Sequence, residues 1–255
     1  MSESYSLGAR AWRNGPARVY DRMAEATLAP LGSLAHKRAL DLGAGTGAAT
    51  QVLERAGARV VATDMAVGML RTDFTRRPPC AVADARALPF RDDTFDVVAA
   101  AFVFNHLVHP AVALREAVRV TRPGGSVVVS AYAHDDDHPA KAAVMTAARA
   151  AGWTPASWTN RLRTDAMPNL ATVHDATAHV LAAGLNALVE KMEVALPDLD
   201  IDALIDWRVG MADIAPFVST LSADATLELR TQARSLLGDS VPTLVRKIIV
   251  ITITA

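Results

Sequence analysis

The chain has 255 residues, 51% of them hydrophobic, with a formal net charge of −1, the profile of a globular protein with a large core. That balance argues against sequence-independent nucleic-acid binding, which needs clustered Lys and Arg to neutralise phosphates. No apolar run approaches a bilayer span and residues 1–10 are polar, so no membrane partner and a cytoplasmic location are expected; the single Cys80 allows neither an intrachain disulfide nor a thiolate zinc cluster. Residues 17–31 read as a helix, with Val19, Met23, Ala26 and Leu28 in a partial apolar stripe and Pro30 and Gly32 at its end. A buried strand at 39–42 runs into the glycine loop Gly43-Ala44-Gly45-Thr46-Gly47. A helix follows whose Ala48, Ala49, Val52, Leu53 and Ala56 share one face, and Gly57 stops it.

The alternation then repeats. Residues 59–63 read as a strand ending at Asp64, 66–71 as a short helix, 80–83 as a weaker strand, and 95–102 as a strand covered on both faces. Residues 111–120 return to helical spacing, Pro123-Gly124-Gly125 reads as a turn, and 126–132 as another strand. Strand and helix in alternation imply a parallel sheet with right-handed crossovers. Beyond Tyr132 helices dominate, at 138–151, 172–183, 202–214 and Ala223–Leu237, interrupted by an alternating segment at Leu188–Leu196. Leu244–Thr254, rich in Ile, Val and Thr, reads as a strand that rejoins the sheet. The expected organisation is a single domain over 1–255. It has a ligand-binding core at 36–132, a largely helical substrate-covering region at 133–241 with one strand at 187–196, and a closing strand within 242–255.

A glycine loop between a parallel strand and a helix brings bare backbone to the sheet's carboxyl edge, where ligands bind. Asp64, ending the second strand, is placed to accept hydrogen bonds from both hydroxyls of a ribose. These features fit any nucleoside-containing cofactor, and Gly43-x-Gly45-x-x-Ala48 also satisfies a loose dinucleotide fingerprint. The alternative is a purely structural strand–helix turn.

Further motifs follow in order: Asp84-Ala85, Leu88-Pro89-Phe90, the acids Asp92 and Asp93, Phe95-Asp96-Val97-Val98, and Arg119-Val120-Thr121-Arg122-Pro123-Gly124-Gly125. With the glycine loop, this set resembles class I S-adenosylmethionine-dependent methyltransferases, in particular the small-molecule branch with the ubiquinone and menaquinone methyltransferases. The resemblance covers Tyr20 to Tyr132 with specific motifs and the remainder by general layout; Thr121 departs from the family's usual leucine. It implies an α/β fold: a Rossmann-like, doubly wound sheet of about seven strands, mostly parallel with an antiparallel C-terminal strand, plus helical lid insertions.

The resemblance also implies roles at matching positions. Asp41 would face the methionine end of S-adenosylmethionine, and the loop of Gly43, Ala44, Gly45 and Gly47 would pass beneath it. Asp64 would hold the ribose and Met65 would pack near the adenine. Asp84 would accept from the adenine amino group, and the Ala85 backbone would contact a ring nitrogen. Phe102 and Val103 would border the sulfonium and substrate, and Tyr20 would close over the methionine carboxylate. A dinucleotide would instead bring a pyrophosphate to balance, whereas Asp41 suits a cationic ligand.

His106 follows the fourth strand, at the edge where the acceptor should sit. It could serve as a general base, its reference pKa near 6.5 being well placed, or it could position the acceptor without proton transfer. His134, after the fifth strand, is a second candidate, and His109 reads as a solvated helix start. Asp135-Asp136-Asp137-His138 could be read as a Mg²⁺ site with Asn105, but Pro139 makes an N-cap and solvated turn the preferred reading. No metal is therefore expected. His174 and His179, five apart, lack the spacing of a metal pair on a helix. Trp153, Trp158 and Trp207, with Met145, Met167 and Met211, are either ordinary helix packing or part of an apolar pocket. The expected reaction is in-line displacement by an O, N or C nucleophile of a small, fairly hydrophobic metabolite, leaving S-adenosylhomocysteine. The alternative is a fold relative that binds the cofactor as a non-methylating pericyclase or binding protein.

Overall fold

In the computed structural model, residues 1–255 are described, apart from the side chain of Phe74. Two helices precede the sheet, α1 (Ser2–Asn14) and α2 (Pro16–Leu28), parted at Gly15. The core then alternates β1 (Arg38–Leu42), α3 (Ala48–Arg55), β2 (Arg59–Asp64), α4 (Val67–Arg71), β3 (Cys80–Val82), β4 (Phe95–Ala101), α5 (Pro110–Arg119) and β5 (Thr121–Tyr132). Next come α6 (Pro139–Ala150), α7 (Ser157–Arg161), α8 (Val173–Ala182) and β6 (Leu188–Leu196). The chain closes with α9 (Ile201–Val209), α10 (Ala215–Val218), α11 (Ala223–Leu237) and β7 (Leu244–Thr254).

The seven strands form one sheet in the order β3-β2-β1-β4-β5-β7-β6. Pairings through β5 are parallel, while β7 runs antiparallel to both β5 and β6. Side chains alternate across the pleat, so Ala39, Val97, Val128 and Ile248 enter one core with α2 and α3. Leu40, Val98, Val129 and Ile249 enter the core on the opposite face, with α5 and α8. The order of β1 against its neighbours creates the switch point at which ligands bind in such sheets.

Two expectations change. Pro123-Gly124-Gly125 is not a turn ahead of a strand but part of β5, where the register with β4 slips between Phe95↔Thr121 and Val97↔Ser126. The carboxyl end of the chain secures this bulge: Gly124 N donates to Ala255 O at 2.7 Å and Ala255 N to Gly125 O at 3.0 Å. Second, α1 begins at Ser2, where polar residues gave no helix signal; its apolar positions reduce to the narrow stripe Tyr5, Ala9 and Trp12.

Between Tyr132 and β7, β6 joins the sheet and α8 packs on its second face, while the other long helices pack against one another. α6 and α11 lie together with α9, sharing a satellite core around Trp153, Ile205, Ile214 and Leu229. The run 135–137 is not a solvated turn throughout. The side chain of Asp136 is enclosed, with Arg246 at 2.8 Å and Lys141 at 2.9 Å, while Asp135 pairs with Lys191 and Lys247. His138, not an aspartate, caps α6 by accepting from Ala140 N. Among the described residues no helix is long and apolar enough to cross a membrane.

Candidate active site

The glycine loop is shaped by what it must avoid. Its first residues cross to β2, Gly43 N and Ala44 N both donating to Thr63 O, at 2.7 and 2.8 Å. Gly43 has φ +73°, and a Cβ there would lie 2.0 Å from Cγ2 of Val103, inside any van der Waals contact. Gly45 N donates to Asp64 Oδ2 at 2.8 Å and Gly47 N to Ala44 O at 2.8 Å. The N–H groups of Gly43, Ala44, Gly45 and Gly47 are thus satisfied internally. What the loop offers a ligand is close approach of backbone.

The loop borders a cavity of about 280 Å³ at the carboxyl ends of the parallel strands. Of the residues singled out by sequence, Tyr20, Asp41, Gly43, Ala44, Gly45 and Asp64 line it. So do Met65, Asp84, Ala85, Phe102, Val103 and His106. Gly47 does not; it is the N-cap of α3, in the left-handed region at φ +100°. His134 does not either. Its side chain is 68% exposed, because the chain turns toward β7 there, with Ala133 N bonded to Lys247 O.

Three carboxylates end successive strands along the cavity, and their surroundings differ. Asp41 is 1% exposed. Burial pushes its carboxyl up to about 6, opposed by the Thr50 hydroxyl, which donates to Oδ2 at 2.5 Å, and by the positive field of Arg77. Burial also raises Asp64, against backbone N–H donors from Ala66 and Gly45. Asp84 is held below its usual range by Arg86, whose Nη2 reaches Oδ2 at 2.6 Å. It meets a ligand with one partner already in place.

The wall facing the strand ends is aromatic. Phe102 adopts φ +59°, a conformation unusual for a bulky residue. This sets its ring stacked on Tyr132 at 4.6 Å and edge-on to Tyr20 at 5.3 Å. The Tyr132 hydroxyl donates to that of Tyr20. Burial pushes Tyr20 up to about 12, so both phenols stay neutral.

The outer wall is α1, which sequence reasoning missed: Ser2, Tyr5 and Trp12 line the cavity, and no lining residue comes from 133–241. That region instead backs α1, with Trp158 Nε1 donating to Ser4 Oγ at 3.1 Å. Gly68 lets α1 approach, since a Cβ there would meet Ser6 O at 2.5 Å. Tyr5, Ala9 and Trp12, recurring at helical spacing, are the signal that would have found this helix.

Between α1 and the end of β4 stands His106. Its Nε2 is 3.3 Å from the Tyr5 hydroxyl, and its Nδ1 is buried without a partner among the described residues. Burial holds the ring down to about 4, not near the reference value expected from sequence. The imidazole is therefore neutral at physiological pH, a weak base and a ready hydrogen-bonding group.

Residues 40–129 match the family model described as Methyltransferase domain. The demethylmenaquinone methyltransferase of Mycolicibacterium paratuberculosis is 45% identical over 108 residues, 42% of this chain and 47% of that one. The chain spans about half the length of the curated relatives it matches. Among solved structures, the chain seen in complex with the Trm112 methyltransferase activator of Haloferax volcanii aligns over 100% of this chain and 97% of its own. It does so with a TM-score of 0.62 at 17% identity. Phosphoethanolamine N-methyltransferase 2 of Haemonchus contortus, solved with S-adenosylhomocysteine, aligns over 91% of this chain and 52% of its own, with a TM-score of 0.54 at 17% identity. The chain has the fold of the class I S-adenosylmethionine-dependent methyltransferases, and residues 40–129 are similar to their methyltransferase domain.

Proposed function

We propose that the protein transfers a methyl group from S-adenosylmethionine to an O, N or C nucleophile of a small, fairly hydrophobic acceptor, leaving S-adenosylhomocysteine. The observation that carries this reading is the charge of the cavity. Asp41, Asp64 and Asp84 line it, and no Lys or Arg does among the described residues. A dinucleotide would bring a pyrophosphate into that acidic lining without a cationic partner. A sulfonium and an ammonium group meet complementary charge there.

Bound, the cofactor supplies a methyl group open to in-line displacement. Asp41 orients its cationic methionine end, and Asp64, whose oxygens keep lone pairs beyond their backbone donors, accepts from the ribose hydroxyls. Met65 and Ala85 flank the adenine, with Asp84 accepting at its edge. Tyr20, Phe102 and Val103 wall the methyl end and exclude water. His106 Nδ1, buried and unpartnered, is the group best placed to bond the acceptor. Since its ring is neutral and weakly basic, it orients the nucleophile more than it removes a proton. The aromatic wall of Tyr5, Trp12 and Phe102 suits an apolar acceptor. The similarity over part of the chain to demethylmenaquinone methyltransferases supports the same class.

The test is incubation with methyl-labelled S-adenosylmethionine and a panel of small apolar phenols, amines and carbon acids. Label in an organic-extractable product, persisting in chelator, is expected. Cofactor binding with no transfer to the panel or to a small-molecule cell extract would contradict the reading.

A further inference from the structure

Arg77 lies in the run Arg76-Arg77-Pro78-Pro79 ahead of β3 and does not line the cavity. Its guanidinium nevertheless holds the glycine loop. Nη2 donates to Gly45 O at 2.7 Å and to Met69 O at 3.1 Å, and Nε donates to Thr72 O at 2.9 Å. Gly45 N meanwhile donates to Asp64 Oδ2 at 2.8 Å, Ala66 N to Asp64 Oδ1 at 2.7 Å, and Met69 N to Ala66 O at 2.9 Å. These bonds close a ring running from Asp64 through Gly45, Arg77, Met69 and Ala66 back to Asp64. Both backbone polar groups of Gly45 are members of it.

We infer that Arg77 is a positioning residue for the proposed cofactor, clamping the glycine loop to the segment after β2 and setting a positive charge against Asp41 and Asp64. The inference rests on the S-adenosylmethionine reading of the site.

Two observations support it. The clamp spans the two backbone segments that border the cavity on either side of Asp64, so losing it frees both at once. The cation is also kept at a cost: Arg77 Nη1 is buried without a partner, which usually destabilises a fold unless neighbouring charge offsets it. The offsetting charges are Asp41 on β1, Asp64 on β2 and Asp73 ahead of Arg77. Asp73 is engaged by Arg13 of α1 at 3.0 Å. Asp41 faces Thr50 of α3 besides Arg77 and Asp64, and Arg77 favours the ionised form of both acids. His106 titrates too low, at about 4, to confuse a measurement around pH 6.

The test is calorimetric titration of the full chain with S-adenosylhomocysteine from pH 5 to 8, for the wild type, Arg77→Gln and Arg77→Lys. Arg77→Gln should bind roughly tenfold more weakly at pH 8, having lost charged hydrogen bonds to three carbonyls. The acid limb of its binding profile should move up by about half a pH unit or more, since the acids lose a nearby cation. Arg77→Lys keeps the charge but not the fork, so it should bind weakly with its acid limb where the wild type has it. If Arg77→Gln does not fold, as judged by thermal melting, Arg77→Lys decides alone: weaker binding with an unmoved limb supports the inference, and wild-type affinity overturns it. An Arg77→Gln protein with wild-type affinity, or with weaker binding and an unmoved limb, overturns it while the cofactor reading stands. A wild-type protein that binds no S-adenosylhomocysteine fails the cofactor reading first and removes the ground for this one.

Discussion

The Tyr5 hydroxyl stands 3.3 Å from His106 Nε2, joining the first helix to the end of β4 across a cavity that neither closes alone. With Nε2 engaged by Tyr5, Nδ1 is the ring atom that the proposed function assigns to the acceptor. His106→Ala should therefore raise the acceptor KM and lower kcat by about tenfold, at the low end for a proton-transfer residue, with cofactor affinity nearly unchanged. Tyr5→Phe should move the same parameters in the same direction, by less. Because burial holds His106 at about 4, the rate should show no His106-dependent rise through neutral pH. Steady-state kinetics on both variants check this; a limb near pH 6.5 that vanishes in His106→Ala would restore the general-base role.

Gly43 and Val103 are in contact so close that no side chain fits between them. Gly43→Ala adds a Cβ 2.0 Å from Val103 Cγ2 at a backbone φ of +73°. Overpacking and left-handed strain together should destabilise the fold by about 2–4 kcal/mol. Cofactor affinity should fall with it, because the loop must shift. Adding Val103→Ala removes the clash but not the strain, so thermal melting should show partial recovery. Full stability in Gly43→Ala alone would mean that the loop packs otherwise.

Asp41 links ligand binding to pH. Its folded value of about 6 lies above the unfolded 3.8, so the stabilisation associated with its neutral form is complete below pH 3.8 and lost as pH rises through about 6. A cationic ligand needs the charged form. Affinity for S-adenosylmethionine should thus decline as pH falls through 6, by up to about tenfold per unit. Asp41→Asn should bind weakly and lose most of this dependence. Calorimetry across pH 5–8 that shows the same limb in Asp41→Asn would assign it to another group.

Asp136 and Arg246 form an ion pair with side chains only 4% and 3% exposed, and Arg246 also lies over the Tyr132 and Trp207 rings at 4.5 and 4.9 Å. Asp136→Asn leaves that guanidinium with its charge uncompensated and should cost about 3–5 kcal/mol in urea unfolding. Burial alone would raise the Asp136 carboxyl, but Arg246 and Lys141 hold it below its usual range. Its contribution is therefore present above the unfolded value of 3.8 and lost as pH falls through the lower folded one. An unfolding midpoint unchanged in Asp136→Asn would show that the pair adds nothing.

The strands and the glycine loop were legible because buried parallel strands read as continuous apolar runs, and because Gly43, Gly45 and Asp64 occur at the one junction that needs them. Other features depend on partners far away in sequence. Asp136 reads as a solvated acid until Arg246, 110 residues later, arrives beside it in the sheet. Pro123-Gly124-Gly125 reads as a turn because nothing local announces that Ala255 will pair with both glycines. α1 hides its apolar stripe among polar residues, so the outer wall of the cavity was missed while its floor was found. His106 lines the cavity after β4, as its place in the sequence suggests, but its acidity depends on burial by Tyr5 and its neighbours, which spacing does not encode.

Titration calorimetry of the full chain with S-adenosylmethionine, S-adenosylhomocysteine and NAD asks whether the acidic cavity holds S-adenosylmethionine. Both adenosyl ligands should bind and NAD should not. Asp64→Ala removes a half-buried acceptor for two hydroxyls, each hydrogen bond to a charged group being worth ~1.5–3 kcal/mol, and should weaken binding by roughly tenfold or more. Binding of NAD with no response to S-adenosylmethionine or S-adenosylhomocysteine would make the cavity a dinucleotide site instead.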